Sequence, residues 1–269
     1  MNKMNKMKKA KQFFNLSITL VFALCFLLTG CGKGNKSGET TDSGSENTSE
    51  SVRFINGTYA VMTMQNQGDY NLVGGQEKNA SIKASIKQML QQWWSVSDLN
   101  SGMKQVQELT SENGMQSKEF VSEVKELGID KMSKEEFQKQ LSSITDQEEK
   151  IHFQLLYDAY HDLGYNAVTG WDLGRANFLL TSFYVADFTD ENTALDKSLE
   201  VAKRIQKTFK SWDEYNRSYM YGYLYWSNED PKDSSSKYVQ RQGFIAELKK
   251  DTKSPFQVKW NTKLEKDWK

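Results

Sequence analysis

Cysteine is nearly absent from this chain, and its two copies, Cys25 and Cys31, both lie close to the N-terminus. Everything beyond Cys31 therefore lacks a thiol for a disulfide, for thiolate catalysis or for a cysteine-containing zinc site. Histidine is as scarce. His152 and His161 are nine residues apart, off the i, i+4 face that a helical metal pair requires, so neither a metal site nor a cofactor is read from the chain. There is no Gly-x-Ser-x-Gly elbow, no phosphate-binding loop and no glycine-rich dinucleotide fingerprint, so no catalytic motif argues for an enzyme. Proline occurs only twice in 269 residues, which suits a mostly helical chain rich in Lys, Glu, Gln, Leu and Ala. A basic excess is lacking too. The chain balances 35 basic against 35 acidic side chains, but five of the lysines fall within residues 1–31, where there is no acid, leaving the rest at a formal −5. That balance argues against nucleic acid as a partner, because counterion release needs a clustered basic face.

One long apolar run is present. Leu16 to Leu28, 13 residues interrupted by Ser17 and Thr19, follows a basic segment with Lys3, Lys6, Lys8, Lys9 and Lys11. It is short for a membrane-spanning helix and reads as the apolar core of a signal peptide. Leu28-Thr29-Gly30-Cys31 comes directly after it. This arrangement resembles the lipobox of bacterial lipoproteins, which implies removal of residues 1–30, lipid on Cys31, and a place on the extracytoplasmic face of the cell membrane. The membrane, reached through that lipid, is then the expected partner, since several acyl chains on one residue supply stable attachment. Residues 31–51 hold Gly, Ser, Thr, Glu, Asn and Lys without an aromatic or branched apolar side chain, the composition of a flexible tether. Its reach would average about 25 Å.

Residues 52–79 give mixed signals. Phe54, Ile55, Tyr59, Val61, Met62 and Met64 stand among Asn-Gly and Gly-Gly pairs, as in a short hairpin or an irregular arm. Residues 80–250 read as a multi-helix domain, so the fold class expected is all-α or mainly α. Ile82, Ile86, Met89, Leu90 and Trp93 form one helical face, and Ser97, Ser117, Ser133 with Glu136, and Thr145 with Glu148 stand where further helices would start. Thr169 with Asp172 has the form of a capping box, Thr189 is placed to cap the next helix, and Leu195, Leu199, Ala202, Ile205 and Phe209 recur as one amphipathic stripe. Ser211 with Glu214 opens a helix carrying Trp212, Tyr215, Tyr219, Gly222, Tyr223 and Trp226, although the alternation of Tyr219, Tyr221, Tyr223 and Tyr225 would also fit a strand. A last helix is expected near Ser235 to Lys250. Residues 251–269 form a tail whose Phe256, Val258, Trp260 and Trp268 either dock or stay loose.

The order Trp93-Trp94, then Trp171-Asp172-Leu173-Gly174-Arg175, then Ser211-Trp212-Asp213-Glu214 and Gly222 resembles the bacterial family catalogued as domain of unknown function 1266. That resemblance implies a mostly helical fold and brings no activity, substrate or cofactor. The segment Tyr184 to Asp187 departs from the small Gly-containing turn expected between the first two core helices.

Two constellations deserve weighing. Asp172 and Arg175 stand at i, i+3 near a helix start, either as an anion receptor or as a buried bridge fixing how three helices meet. Tyr219, Tyr223 and Trp226 either line a recognition groove or pack between helices. Arg175, Asp172, Tyr219, Tyr223 and Trp226 are thus the candidate ligand-binding residues, and Cys31 the lipidation site. Three function classes follow: a membrane-anchored module binding an envelope protein or small molecule, an enzyme using Asp172, Arg175 and His161, or a cell-surface immunity or protective factor.

Overall fold

A computed structural model describes residues 49–268 apart from Asn113. The expected signal peptide, Cys31 and most of the tether lie outside the described residues. Within them are eleven α-helices and no strand. They are α1 (Glu50–Gly57), α2 (Ala60–Gln65), α3 (Ala80–Trp94), α4 (Leu99–Leu109), α5 (Gln116–Leu127), α6 (Lys134–Ser143), α7 (Gln147–Leu163), α8 (Thr169–Val185), α9 (Glu191–Thr208), α10 (Trp212–Ser227) and α11 (Lys237–Lys250). No described helix is long and apolar enough to cross a membrane.

The architecture is organised around α8. Apolar residues cover all its sides, and every residue except Tyr184 is buried, as a helix without a polar face must be. It is flanked by α3, α4, α5, α9 and α10. The seam with α10 depends on two glycines. A Cβ at Gly222 would lie 2.2 Å from the Trp171 Cβ, and one at Gly170 would lie 2.9 Å from the Tyr215 carbonyl oxygen, so neither helix could approach this way with a larger residue. On the other side α9 presents Leu195, Leu199, Ala202 and Ile205, the stripe read from the sequence.

The expected helix starts are largely present, several moved by one residue. Ser133 and Glu136 form the reciprocal capping box, and Ser211 accepts from the Glu214 N–H. Elsewhere the neighbouring aspartate replaces the expected hydroxyl: Asp98, Asp146 and Asp190, in extended backbone, accept from Ser101, Glu149 and Thr193. A carboxylate satisfies the amide and also answers the positive helix end, which a Ser or Thr does not. The capping box read at Thr169 and Asp172 is absent. Thr169 is the first helical residue, Val168 makes no side-chain cap, and the Gly170 N–H instead donates to Ser218 Oγ on α10 at 2.8 Å.

Residues 50–65 form two short helices rather than a hairpin, and the first begins at Glu50, inside the expected tether. Ser49 caps it, and Phe54 and Ile55 are buried. The reason is tertiary: Phe54 packs against Trp212 and Trp260, at ring-centroid distances of 4.7 and 5.3 Å. The C-terminal tail is docked on the same ground. Trp212 Nε1 donates to the Val258 carbonyl, Trp260 Nε1 to that of Phe209 and Trp268 Nε1 to Asp196. The alternating tyrosines of α10 are helical. Between α8 and α9, Asp187 itself adopts the left-handed conformation (φ 56°) where a glycine was expected. Its carboxylate pairs with Lys78 and Lys83 and is held down at a pKa of about 2 by those two ammonium groups.

Candidate arginine and aromatic site

The first two turns of α8 hold Asp172 and Arg175, both buried. Asp172 is fully buried, and its carboxylate accepts from four donors: the backbone N–H groups of Gln116 at 3.2 Å and Ser117 at 2.9 Å, the Ser117 hydroxyl at 2.8 Å, and Arg175 Nη2 at 2.6 Å. Gln116 and Ser117 open α5, whose own Met115 cannot cap it, so Asp172 is the N-cap of a helix other than its own. Gly114 admits the carboxylate. It has φ +57°, and a Cβ there would lie 2.4 Å from Asp172 Oδ2.

Arg175 is 6% exposed and lies between two tryptophans, its guanidinium carbon 4.9 Å from the Trp171 ring centroid and 5.7 Å from that of Trp94. Burial lowers its pKa and the Asp172 carboxylate opposes that shift. The pair is closed on the Asp172 side, as the bridge reading of the sequence expects. Arg175 Nε, however, is buried with no hydrogen-bond partner.

Tyr219, Tyr223 and Trp226 continue the cluster along α10. Trp171 meets all three, at 5.1, 5.6 and 5.8 Å between ring centroids. Tyr219 and Tyr223 are buried, while Trp226 is 42% exposed and carries the cluster to the surface. A further residue belongs here that sequence reasoning missed. Arg241 of α11, 7% exposed, places its guanidinium carbon over the Tyr223 ring, 4.1 Å from the centroid, and donates from Nη1 to Gln65 Oε1 of α2 at 2.6 Å. Burial raises the Tyr219 pKa, and the charges of Arg241 and Arg175 pull against that rise, so the phenol lies under the influence of both guanidiniums. Trp171 Nε1, Tyr219 Oη, Arg175 Nε and Arg241 Nε are all buried without a hydrogen-bond partner of acceptable geometry.

The five sequence candidates thus meet in one place, with Asp172 directed into α5 and the other four around the unpaired donors. His161 faces Tyr157 and Tyr160, at 4.1 and 5.5 Å, rather than joining the Asp172 and Arg175 pair. His152 belongs to a separate polar group that was not foreseen. Its Nε2 lies 2.9 Å from Glu123 Oε1, and Glu123 Oε2 accepts from the Tyr225 hydroxyl at 3.0 Å. Burial would raise the Glu123 pKa, but the His152 and Tyr225 contacts outweigh it and hold the carboxyl below its ordinary range. Among the described residues no group of three His, Cys, Asp or Glu side chains is disposed to hold a metal ion. An open groove of about 600 Å³ lies between α4 and α9, with Met103, Val106, Leu180 and Val201 among its lining; none of the sequence candidates borders it.

Fold and site together define an all-helical domain assembled on one fully buried helix, with arginines and tryptophans at the start of that helix. The family described as Protein of unknown function (DUF1266) matches residues 89–261, and the chain belongs to it. The match runs from within α3 to beyond α11 and leaves α1 and α2 outside, although Gln65 of α2 holds Arg241. No curated protein and no solved structure matches the chain.

Proposed function

We propose that the protein is a lipoprotein, anchored through Cys31 on the extracytoplasmic face of the cell membrane, whose helical domain is a ligand-binding module. One observation carries the binding reading: polar atoms of Trp171, Arg175, Tyr219 and Arg241 are buried together without a well-formed hydrogen bond, within an aromatic cluster that reaches the surface at Trp226. Buried donors are costly unless something accepts from them, and a fold that keeps four together is arranged to hold a ligand. Binding is favoured over catalysis because the carboxylate beside Arg175 is occupied by four donors and has no free position for proton transfer. The anchor rests on the basic segment, the 13-residue apolar run and Leu28-Thr29-Gly30-Cys31.

Two measurements test this. Cys31→Ser should abolish incorporation of a labelled fatty acid and release the protein from washed membranes; equal retention of the variant would remove the anchor. For the binding reading, thermal unfolding of the full chain in detergent should show a higher midpoint with envelope extract than without. Trp226→Ala should lose that shift, measured from its own ligand-free melting temperature. An extract that moves neither protein would leave the binding reading without support.

A further inference from the structure

Trp93 and Trp94 are neighbours in sequence and differ sharply in exposure. Trp94 is partly buried, with the Arg175 guanidinium carbon 5.7 Å from its ring centroid, whereas Trp93 is 62% exposed, the most of any large apolar side chain among the described residues. A single exposed apolar residue is ordinary on a protein surface. Trp93, however, ends a stripe on α3 made of Ile82, Ile86, Met89 and Trp93, spaced i, i+4, i+7 and i+11. Ile86 and Met89 pack on the core while Ile82 is only half-buried, so the stripe keeps apolar area in water at both ends. Leu90 is the one buried residue of this 15-residue helix.

Charge around α3 has the opposite sign to that of the chain. Residues 78–97 contain Lys78, Lys83 and Lys87 and no acid, in a chain that stands at −5 beyond residue 31. Asp187 alone answers both Lys78 and Lys83, and Lys87 is exposed with its ammonium 5.4 Å from the Phe188 ring centroid. Counting Glu77, which borders the stretch, one positive charge remains in excess, and Asp98 on the other border caps α4. The rest of the exposed face, Ser81, Ala84, Ser85, Gln88, Gln91 and Gln92, is neutral, so nothing on it repels an anionic surface.

Resting on the lipid anchor proposed above, we infer that α3 is the face the domain lays on the bilayer, with Trp93 and Ile82 among the headgroups and upper acyl chains and Lys87 at the phosphates of anionic lipids. Tryptophan suits that boundary because its apolar ring and its N–H donor match a zone where hydrocarbon meets water. Apolar residues on one side and lysines beside them are the pattern of helices that lie in the interface rather than span it. A tether averaging about 25 Å exceeds the radius of gyration of roughly 220 folded residues, about 17 Å, so the domain can turn this face to the membrane. Attachment through Cys31 makes the contact intramolecular, and a small apolar patch then suffices. A globular protein partner would need a much larger patch than one tryptophan and a helix edge.

The test is tryptophan quenching in vesicles carrying the full chain, made of phosphatidylcholine with or without phosphatidylglycerol and containing lipids brominated near the headgroup end of the acyl chains. Flotation reads membrane attachment and quenching reads α3. The parent chain is expected to float, with part of its emission quenched and shifted to the blue. Trp93→Phe should float equally and lose that quenching, while Trp226→Phe keeps it. Lys87→Glu should weaken the quenching, and more so with phosphatidylglycerol present. Because Trp93 and Lys87 are exposed, circular dichroism of their variants should match that of the parent. A floating chain without quenching, or quenching that vanishes in Trp226→Phe instead of Trp93→Phe, would overturn the α3 contact and leave the attachment standing. A chain that does not float would remove the anchor and the contact together. Dimerisation that depends on Trp93, with no quenching, would assign the face to a second copy of the chain.

Discussion

Arg175 and Arg241 approach the same tyrosine from different helices, and the fold treats their charges differently. Arg175 is closed off on one side by a carboxylate three residues earlier on its own helix, and that carboxylate also caps α5, although Arg175 Nε stays unpaired. Arg241 arrives from α11, rests over Tyr223 and meets neutral groups, the Gln65 amide and the Tyr219 phenol. The first pair ties α8 to the start of α5; the second guanidinium ties α11 to α2 and α10. Two buried charges of one cluster are thus met differently, one by a carboxylate and one by neutral groups.

The comparison breaks most visibly on the closed side. Asp172→Ala should cost about 3–5 kcal/mol in chemical denaturation, since it strands a buried guanidinium and uncaps α5. The double variant Asp172→Leu with Arg175→Met should recover much of that loss; if the single variant loses under about 1 kcal/mol, the Arg175 charge is answered elsewhere. Gly114→Ala should cost about 1–3 kcal/mol by the same assay, because its Cβ would press on Asp172 Oδ2 from a left-handed backbone. On the other side Arg241→Met should change stability by about 1 kcal/mol or less, or increase it. A loss comparable to that of Asp172→Ala would make the two halves equivalent and end the division.

The smallest effect lies at the far end of α8. Asp187 has a folded pKa of about 2, below the ordinary 3.8, through Lys78 and Lys83. A depressed carboxylate stabilises the fold above its unfolded pKa and loses that contribution as pH falls through the folded value. Asp187→Asn keeps a residue that tolerates φ > 0 and removes only the charge. Its small deficit in urea midpoint should therefore be present above about pH 4 and vanish by about pH 2. A deficit independent of pH would assign the effect to the turn rather than to the ion pairs.

Much of the fold was legible locally. The α9 stripe, the Ser133 and Glu136 box and the Ser211 cap are short-range patterns, set by helix periodicity and by amides within one turn. Aspartate caps displaced the expected Ser and Thr by one residue for the same local reason. The readings that failed were those whose partners are distant in sequence. Ser218 caps α8 across 48 residues, and Asp172 caps α5 across 55, so the box drawn within α8 did not form. Residues 50–65 fold as helices against tryptophans about 150 to 200 positions later, and no hairpin signal could register that. Four of the five candidate site residues surround the unpaired donors, because they repeat on facing sides of α8 and α10. Arg241 escaped notice because a lone arginine in α11 carries no local mark of burial.

By itself the sequence determined an all-helical domain of the family matched over residues 89–261, since composition, helical periodicity and a contiguous motif need no knowledge of distant contacts. Tertiary structure alone decided which carboxylate each arginine meets. Ion pairing and desolvation depend on the few ångströms between helices that approach closely only where Gly170 and Gly222 allow it.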